Sequence, residues 1–177
     1  KEIYERGVKV ITADFVRHDP RRKDSGFITE SQSARTKVGG DVFEILLTRN
    51  GKIYEGMTSN FYIILPVPQD SSCVVSRRNK FRGTLVTSRT GILLGVTRRA
   101  VLRLARGQGM SIHYRAPRVA SREEFAEAFL TSSSRGIVPI VSIDGREVGE
   151  GTVGACTNRL MNAYQAYVEE RSEALVG

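Results

Sequence analysis

With 177 residues, 40% of them apolar and 26% charged, the chain can bury one core and has the balance of a soluble globular domain. No apolar run nears the roughly 20 residues a membrane-spanning helix needs, and no signal peptide is visible. Two distant cysteines, Cys73 and Cys156, make neither a disulfide framework nor a metal site, so a cytoplasmic protein is expected.

The net charge of +8 gathers in Arg21-Arg22-Lys23, Arg77 to Arg82 and Arg98 to Arg106. Such clusters can draw phosphates or nucleic acid, but Phe81 is the single aromatic residue among them, fewer than a base-stacking platform requires. Solvated basic faces are the expectation. The chain opens at Lys1 without a methionine and soon enters a strand, so a piece of something longer is also expected.

Val8 to Ala13 alternates apolar and polar residues and predicts a strand. A polar turn with Pro20 follows at 17–22, then Lys23 and the apolar pair Phe27-Ile28. Glu30 to Lys37 predicts a helix that Gly39-Gly40 ends. Val42 to Thr48 and Ile53 to Glu55 predict strands joined by Asn50-Gly51, a strong hairpin signal. Phe61 to Leu65 is a further apolar strand, and Pro66 to Gly83 predicts a surface loop.

Leu85 to Ser88 predicts a short strand. A helix is expected over about Thr97 to Arg106, burying Ala100, Val101, Leu104 and Ala105 and exposing Arg99, Arg103 and Arg106. Met110 to Tyr114 predicts a strand, and the capping box Ser121-Arg122-Glu123-Glu124 a short helix. Ala128 to Leu130 and Ile137 to Ile143 are strands, the second turned by Asp144-Gly145. Thr157 is placed to cap a last helix reaching about Val168, with Leu160, Ala163, Tyr164 and Tyr167 on one face. Antiparallel hairpins with a few helices predict an α+β domain with large mixed sheets.

Glu55 ends a strand and meets the polar stretch Gly56 to Asn60 before the next apolar run. A carboxylate buried there is costly unless something basic meets it. Gly95-Val96-Thr97 leads into a helix, so backbone N–H groups there sit at its partly positive end. Thr131 to Ser134 offers four hydroxyls at a strand end. Each stretch also fits a polar turn or an ordinary helix start, and Lys23 alone fits a solvated lysine. Together the two N–H-rich stretches could cradle a phosphate without a Walker-type loop.

In this order and at this spacing, Lys23, Tyr54 to Phe61, Leu93 to Arg98, and Thr131 to Pro139 followed by Ile143-Asp144-Gly145 are a specific pattern. The chain resembles, from about Gly7 to Tyr167, the large C-terminal domain of the class IV (fold type IV) pyridoxal-phosphate enzymes. These are the branched-chain and D-amino-acid aminotransferases and aminodeoxychorismate lyase. The resemblance implies the D-amino-acid-aminotransferase-like fold over residues 1–177 as a single cofactor-binding domain, with Pro66 to Gly83 as an insertion. It implies pyridoxal 5'-phosphate as cofactor and amino transfer to a 2-keto acid through a lysine aldimine. Lys23, 32 residues before Glu55, matches the lysine that carries the cofactor and moves the proton. Glu55 matches the carboxylate on the pyridine nitrogen, which keeps the ring an electron sink.

By the same resemblance, Val96 and Thr97 form one set of phosphate donors and Ser132 and Ser133 a second, with Leu93 against the ring. Ser59 and Asn60 support Glu55. Ser133, Ser134 and Arg135 lie where substrate is expected; Arg135 either binds a substrate carboxylate or points to solvent. A homodimer acting on amino acids and keto acids is implied, with no nucleic acid and no membrane. The family's smaller N-terminal domain has no counterpart in the sequence. The alternatives are an aminodeoxychorismate-lyase-like enzyme, a truncated non-catalytic cofactor-binding domain, and a basic nucleic-acid binder.

Overall fold

The alternating apolar segments assemble into one nine-stranded mixed sheet in the computed structural model, which describes residues 1–14, 41–66 and 83–173. Lys23, the turn at 17–22, the helix expected at 30–37, Cys73 and the basic run at 77–82 lie outside those residues. A short helix α1 (Glu2–Glu5) leads into strand β1 (Val8–Asp14). Strands β2 (Glu44–Arg49), β3 (Lys52–Gly56), β4 (Asn60–Leu65) and β5 (Thr84–Thr87) precede helix α2 (Val96–Gly107). After β6 (Ser111–Tyr114) come β7 (Glu127–Ser132), β8 (Gly136–Ile143), β9 (Arg146–Glu147) and helix α3 (Ala155–Glu173). No described helix is long and apolar enough to cross a membrane.

Both expected hairpins form. Asn50 (φ 51°) with Gly51 (φ 67°), and Asp144 (φ 53°) with Gly145 (φ 74°), supply the paired left-handed residues that match strand twist. The strand order β3-β2-β1-β8-β7-β4 closes on itself, because β3 also pairs with β4 through Glu55 and Asn60. β5 and β6 extend outward from β4. The pairs β1–β2, β1–β8 and β5–β6 are parallel, and the hairpin partners run antiparallel.

Strand β4 is buried on both faces. Phe61 and Ile63 pack inside the ring with Val10, Leu46, Ile53, Leu130 and Ile140. Tyr62 and Ile64 point the other way, into a core shared with Val101, Ala105, Phe129, Cys156 and Leu160. Successive side chains of a strand face opposite sides, so one six-residue segment joins the ring interior to the helical layer.

Three local expectations are corrected. Helix α2 buries Thr97, Arg98, Val101, Leu102 and Ala105, while Ala100 and Leu104 are only half-buried. Its face is rotated because Arg98 turns inward to the end of β5 and Leu102, four residues on, follows it. Arg98 therefore leaves the solvated basic face to Arg99, Arg103 and Arg106. The Ser121 capping box starts no α-helix: residues Val119–Glu124 form a 3₁₀ helix, and Phe125 returns to extended backbone. Phe125 is buried and the Ala126 N–H already bonds the Ile64 carbonyl at 3.0 Å, so the chain has room only for a tight turn before β7. Thr157 does not cap α3 either. It lies inside the first turn, and the Glu127 carboxylate accepts from the N–H groups of Cys156 (3.0 Å) and Thr157 (2.6 Å).

Candidate active site

The ring closes at a seam between β3 and β4, where the sheet has to turn within a few residues. Gly56 N–H bonds the Ser59 carbonyl at 2.8 Å and makes that turn tight. Thr58 fixes it to β2: its N–H and its hydroxyl both donate to Glu44 Oε1, at 2.6 and 2.9 Å. A side chain at Gly56 has no room, since a Cβ there would stand 2.4 Å from Ser59 Oγ and 3.0 Å from the Glu44 carboxylate.

The two residues that pair across the seam reach out together. Glu55, 3% exposed, accepts the Leu93 N–H on Oε2 at 2.9 Å. Asn60 Nδ2 donates to the Leu93 carbonyl at 2.7 Å. Both backbone polar groups of Leu93 are thus held by side chains from neighbouring strands, which fixes the loop between β5 and α2. Gly91, at φ 70°, lets that loop pass Tyr54 and Arg49.

Helix α2 then begins after Gly95, which provides no side-chain cap, and its first turn contains no acidic residue. The N–H groups of Val96 and Thr97 lie among those that an α-helix leaves without intrahelical acceptors, at its partly positive end. A Cβ on Gly95 would come 2.9 Å from Asn60 Oδ1, so the helix start sits close against the seam.

Facing this wall is the end of β7 and the turn after it. The two walls enclose a cleft of about 780 Å³, within the roughly 300–1,000 Å³ of small-molecule sites. Glu55, Ser59, Asn60, Leu93, Val96, Thr97, Ser132, Ser133, Ser134 and Arg135 all line it. The sequence-based candidates among the described residues are therefore brought to one place, and Lys23 lies outside those residues. Arg135 is half-buried: Nη2 donates to Thr58 Oγ1 at 3.0 Å, and its guanidinium lies 5.0 Å from the Phe43 ring centre. The cleft mouth carries the exposed side chains of Leu94 and Val96.

Sequence reasoning missed the supports behind these walls. Glu44 stands in a run of apolar residues and is fully buried; a carboxylate inside an apolar strand was the available signal. Tyr62, stacked on Phe129 at 4.6 Å, has its hydroxyl 3.1 Å from Thr131 Oγ1. Burial pushes the Tyr62 phenol pKa up, and the neighbouring Arg98 charge partly opposes this. Arg98 had a signal as well, being a cation in a helix first turn where the dipole favours anions.

The family model described as "Amino-transferase class IV" matches residues 5–143, and the chain belongs to that family. It is 29% identical to the branched-chain-amino-acid aminotransferase of Pseudomonas aeruginosa over 98% of this chain and 54% of that protein. Similarity to the D-alanine aminotransferase of Bacillus licheniformis is 30% identity over 90% of this chain and 52% of the relative. Among solved structures, the branched-chain amino acid aminotransferase of Thermobaculum terrenum in its PLP form superposes with a TM-score of 0.73. The two are 27% identical, over 93% of this chain and 52% of that one. The α+β fold with its mixed sheet is the one these aminotransferases share. The chain spans about half the length of the curated relatives it matches.

Proposed function

We propose that residues 1–177 form a single cofactor-binding unit of a pyridoxal-phosphate-dependent aminotransferase, which moves an amino group between an amino acid and a 2-keto acid. The observation that carries this reading is the clasp on Leu93. A buried carboxylate, an amide and an uncapped helix start are held together at the wall of one cleft.

The residues present fit the cofactor. Glu55 supplies a carboxylate in a low-dielectric wall, where its pairing with a protonated ring nitrogen is strong. Leu93 gives that wall an apolar surface for a flat ring. The N–H groups of Val96 and Thr97, with the hydroxyls of Thr97, Ser132 and Ser133, offer donors to a phosphate. Ser59 Oγ is buried in the cleft wall with no hydrogen-bond partner among the described residues, a donor left over for a bound group. When bound, the cofactor supplies the electron sink that eases removal of the proton from substrate Cα.

Each of this chain's residues then has a task. Lys23 Nζ holds the cofactor and carries the proton to and from substrate; this assignment rests on the family resemblance, which the 32-residue spacing from Lys23 to Glu55 fits. Glu55 keeps the ring nitrogen protonated, and Asn60 fixes Leu93 beside it. Ser133, Ser134 and Arg135 line the end of the cleft where substrate enters, and Arg135 offers a cation to a substrate carboxylate. The reading includes a cytoplasmic homodimer, by resemblance and from the sparse cysteines.

The test is a half-reaction: the protein loaded with pyridoxal phosphate is mixed with L-leucine, L-glutamate or D-alanine, and keto acid is measured by mass spectrometry. Keto acid equal in amount to the cofactor consumed, lost in Glu55→Ala, supports the proposal. Cofactor bound without any keto acid formed from these donors contradicts it.

A further inference from the structure

We propose that Arg98 is a positioning residue for the anion-binding end of the cleft, tying the first turn of α2 to the serine-bearing end of β7 and placing a buried positive charge behind both. The inference rests on the reading above, in which that end takes the cofactor's phosphate.

Arg98 is 2% exposed and sits in the first turn of α2. Nη1 donates to Thr87 Oγ1 at 2.8 Å, and Nη2 to the Ser88 carbonyl at 2.6 Å. Thr87 passes the contact on, its hydroxyl donating to the Phe61 carbonyl at 2.8 Å. The guanidinium carbon lies 5.7 Å from the centre of the Tyr62 ring, and the Tyr62 hydroxyl is 3.1 Å from Thr131 Oγ1. Thr131 lines the cleft and precedes Ser132. A continuous buried network therefore runs from the helix start that forms one wall to the strand end that forms the other.

Two costs point to a ligand. A cation in the first turn opposes the helix dipole. A buried guanidinium also pays desolvation, and among the described residues Arg98 has no carboxylate partner. A phosphate at the same helix end offsets both, because it is the anion that the dipole and the guanidinium each favour. An apolar side chain would avoid both costs, though it would leave the buried Ser88 carbonyl without this donor.

The experiment compares affinity for pyridoxal phosphate and for pyridoxal, which lacks the phosphate, by absorbance titration. The proteins are the wild type, Arg98→Met, Arg98→Lys and the control Arg103→Met, whose native arginine is exposed over Tyr167. Arg98→Met should weaken pyridoxal phosphate about tenfold or more while changing pyridoxal less than about threefold. Arg98→Lys should recover part of the loss, and Arg103→Met should change neither. An equal loss for the two ligands, or none for pyridoxal phosphate, overturns the proposal.

If Arg98→Met does not fold, Arg98→Lys and Tyr62→Phe decide; the latter keeps the stack on Phe129 and removes only the hydroxyl link. An unchanged ratio of the two affinities in both variants overturns the proposal, and a selective loss of pyridoxal phosphate supports it. Wild-type protein that binds neither ligand defeats the functional reading and this role with it. Equal wild-type affinity for both defeats the phosphate assignment on which Arg98's role depends.

Discussion

Replacing Glu127 by alanine removes the group that caps the start of helix α3. Its carboxylate is 6% exposed and takes the N–H groups of Cys156 and Thr157 at 3.0 and 2.6 Å. Alanine takes this acceptor away from both buried donors. Each costs about 1–3 kcal/mol, by the usual penalty for an unmade bond to a charged group. The lost helix-dipole interaction adds roughly 0.3–1 kcal/mol. Relief of the carboxylate's own desolvation returns part of this, so the net loss should be about 3 kcal/mol. In a chain of this size that lowers Tm by about 6–12 °C.

Glu127→Gln keeps one carbonyl oxygen for one donor, and should lose about half as much. The assay is urea unfolding of both variants beside the wild type, followed by circular dichroism, with slopes compared to confirm that stability alone has changed. A loss under about 1 kcal/mol for Glu127→Ala, or a glutamine variant as stable as wild type, would refute the capping account.

Gly95→Ala tests how closely the helix start fits the seam. The backbone there (φ −63°, ψ 153°) suits alanine, so only the 2.9 Å approach of the new Cβ to Asn60 Oδ1 matters. Displacing Asn60 from Leu93 should weaken pyridoxal phosphate about fivefold, one hydrogen bond's worth, in an equilibrium titration. Asn60→Ala should produce a loss of the same size, and combining the two should add little, because both act through the same bond. Tyr62 gives a pH prediction. Burial raises its folded pKa above the ordinary 10.0, so its contribution is complete below about pH 10 and is lost as pH rises through the folded value. Wild type should lose urea resistance above pH 10 more steeply than Tyr62→Phe; parallel curves would contradict this.

The strands were legible because apolar alternation has a local cause, and the turns because Asn50-Gly51 and Asp144-Gly145 carry their left-handed conformations in their own chemistry. Glu55 was legible as a carboxylate between two apolar runs. What it holds was not. The Leu93 N–H lies 38 residues further along the chain, and only closure of the ring brings the two together. The same reason explains the helix ends. Thr157 has the right chemistry for a cap, but β7 delivers Glu127 from 30 residues earlier, and the longer side chain takes both donors.

The rotated face of α2 follows from one residue. Arg98 reads as surface by composition, yet the carbonyl of Ser88 and the hydroxyl of Thr87 await it under the helix. Local periodicity places the apolar residues within about a turn, and long-range polar contacts then set the angle.

The most direct test of the central claim is to add pyridoxal phosphate to the protein, reduce with borohydride, and map the modified peptide by mass spectrometry, with Lys23→Ala beside the wild type. The account predicts one reduced adduct on Lys23, absent from the variant and much diminished in Glu55→Ala. A folded wild-type protein that yields no adduct, or an adduct spread over surface lysines and unchanged in Lys23→Ala, would contradict it.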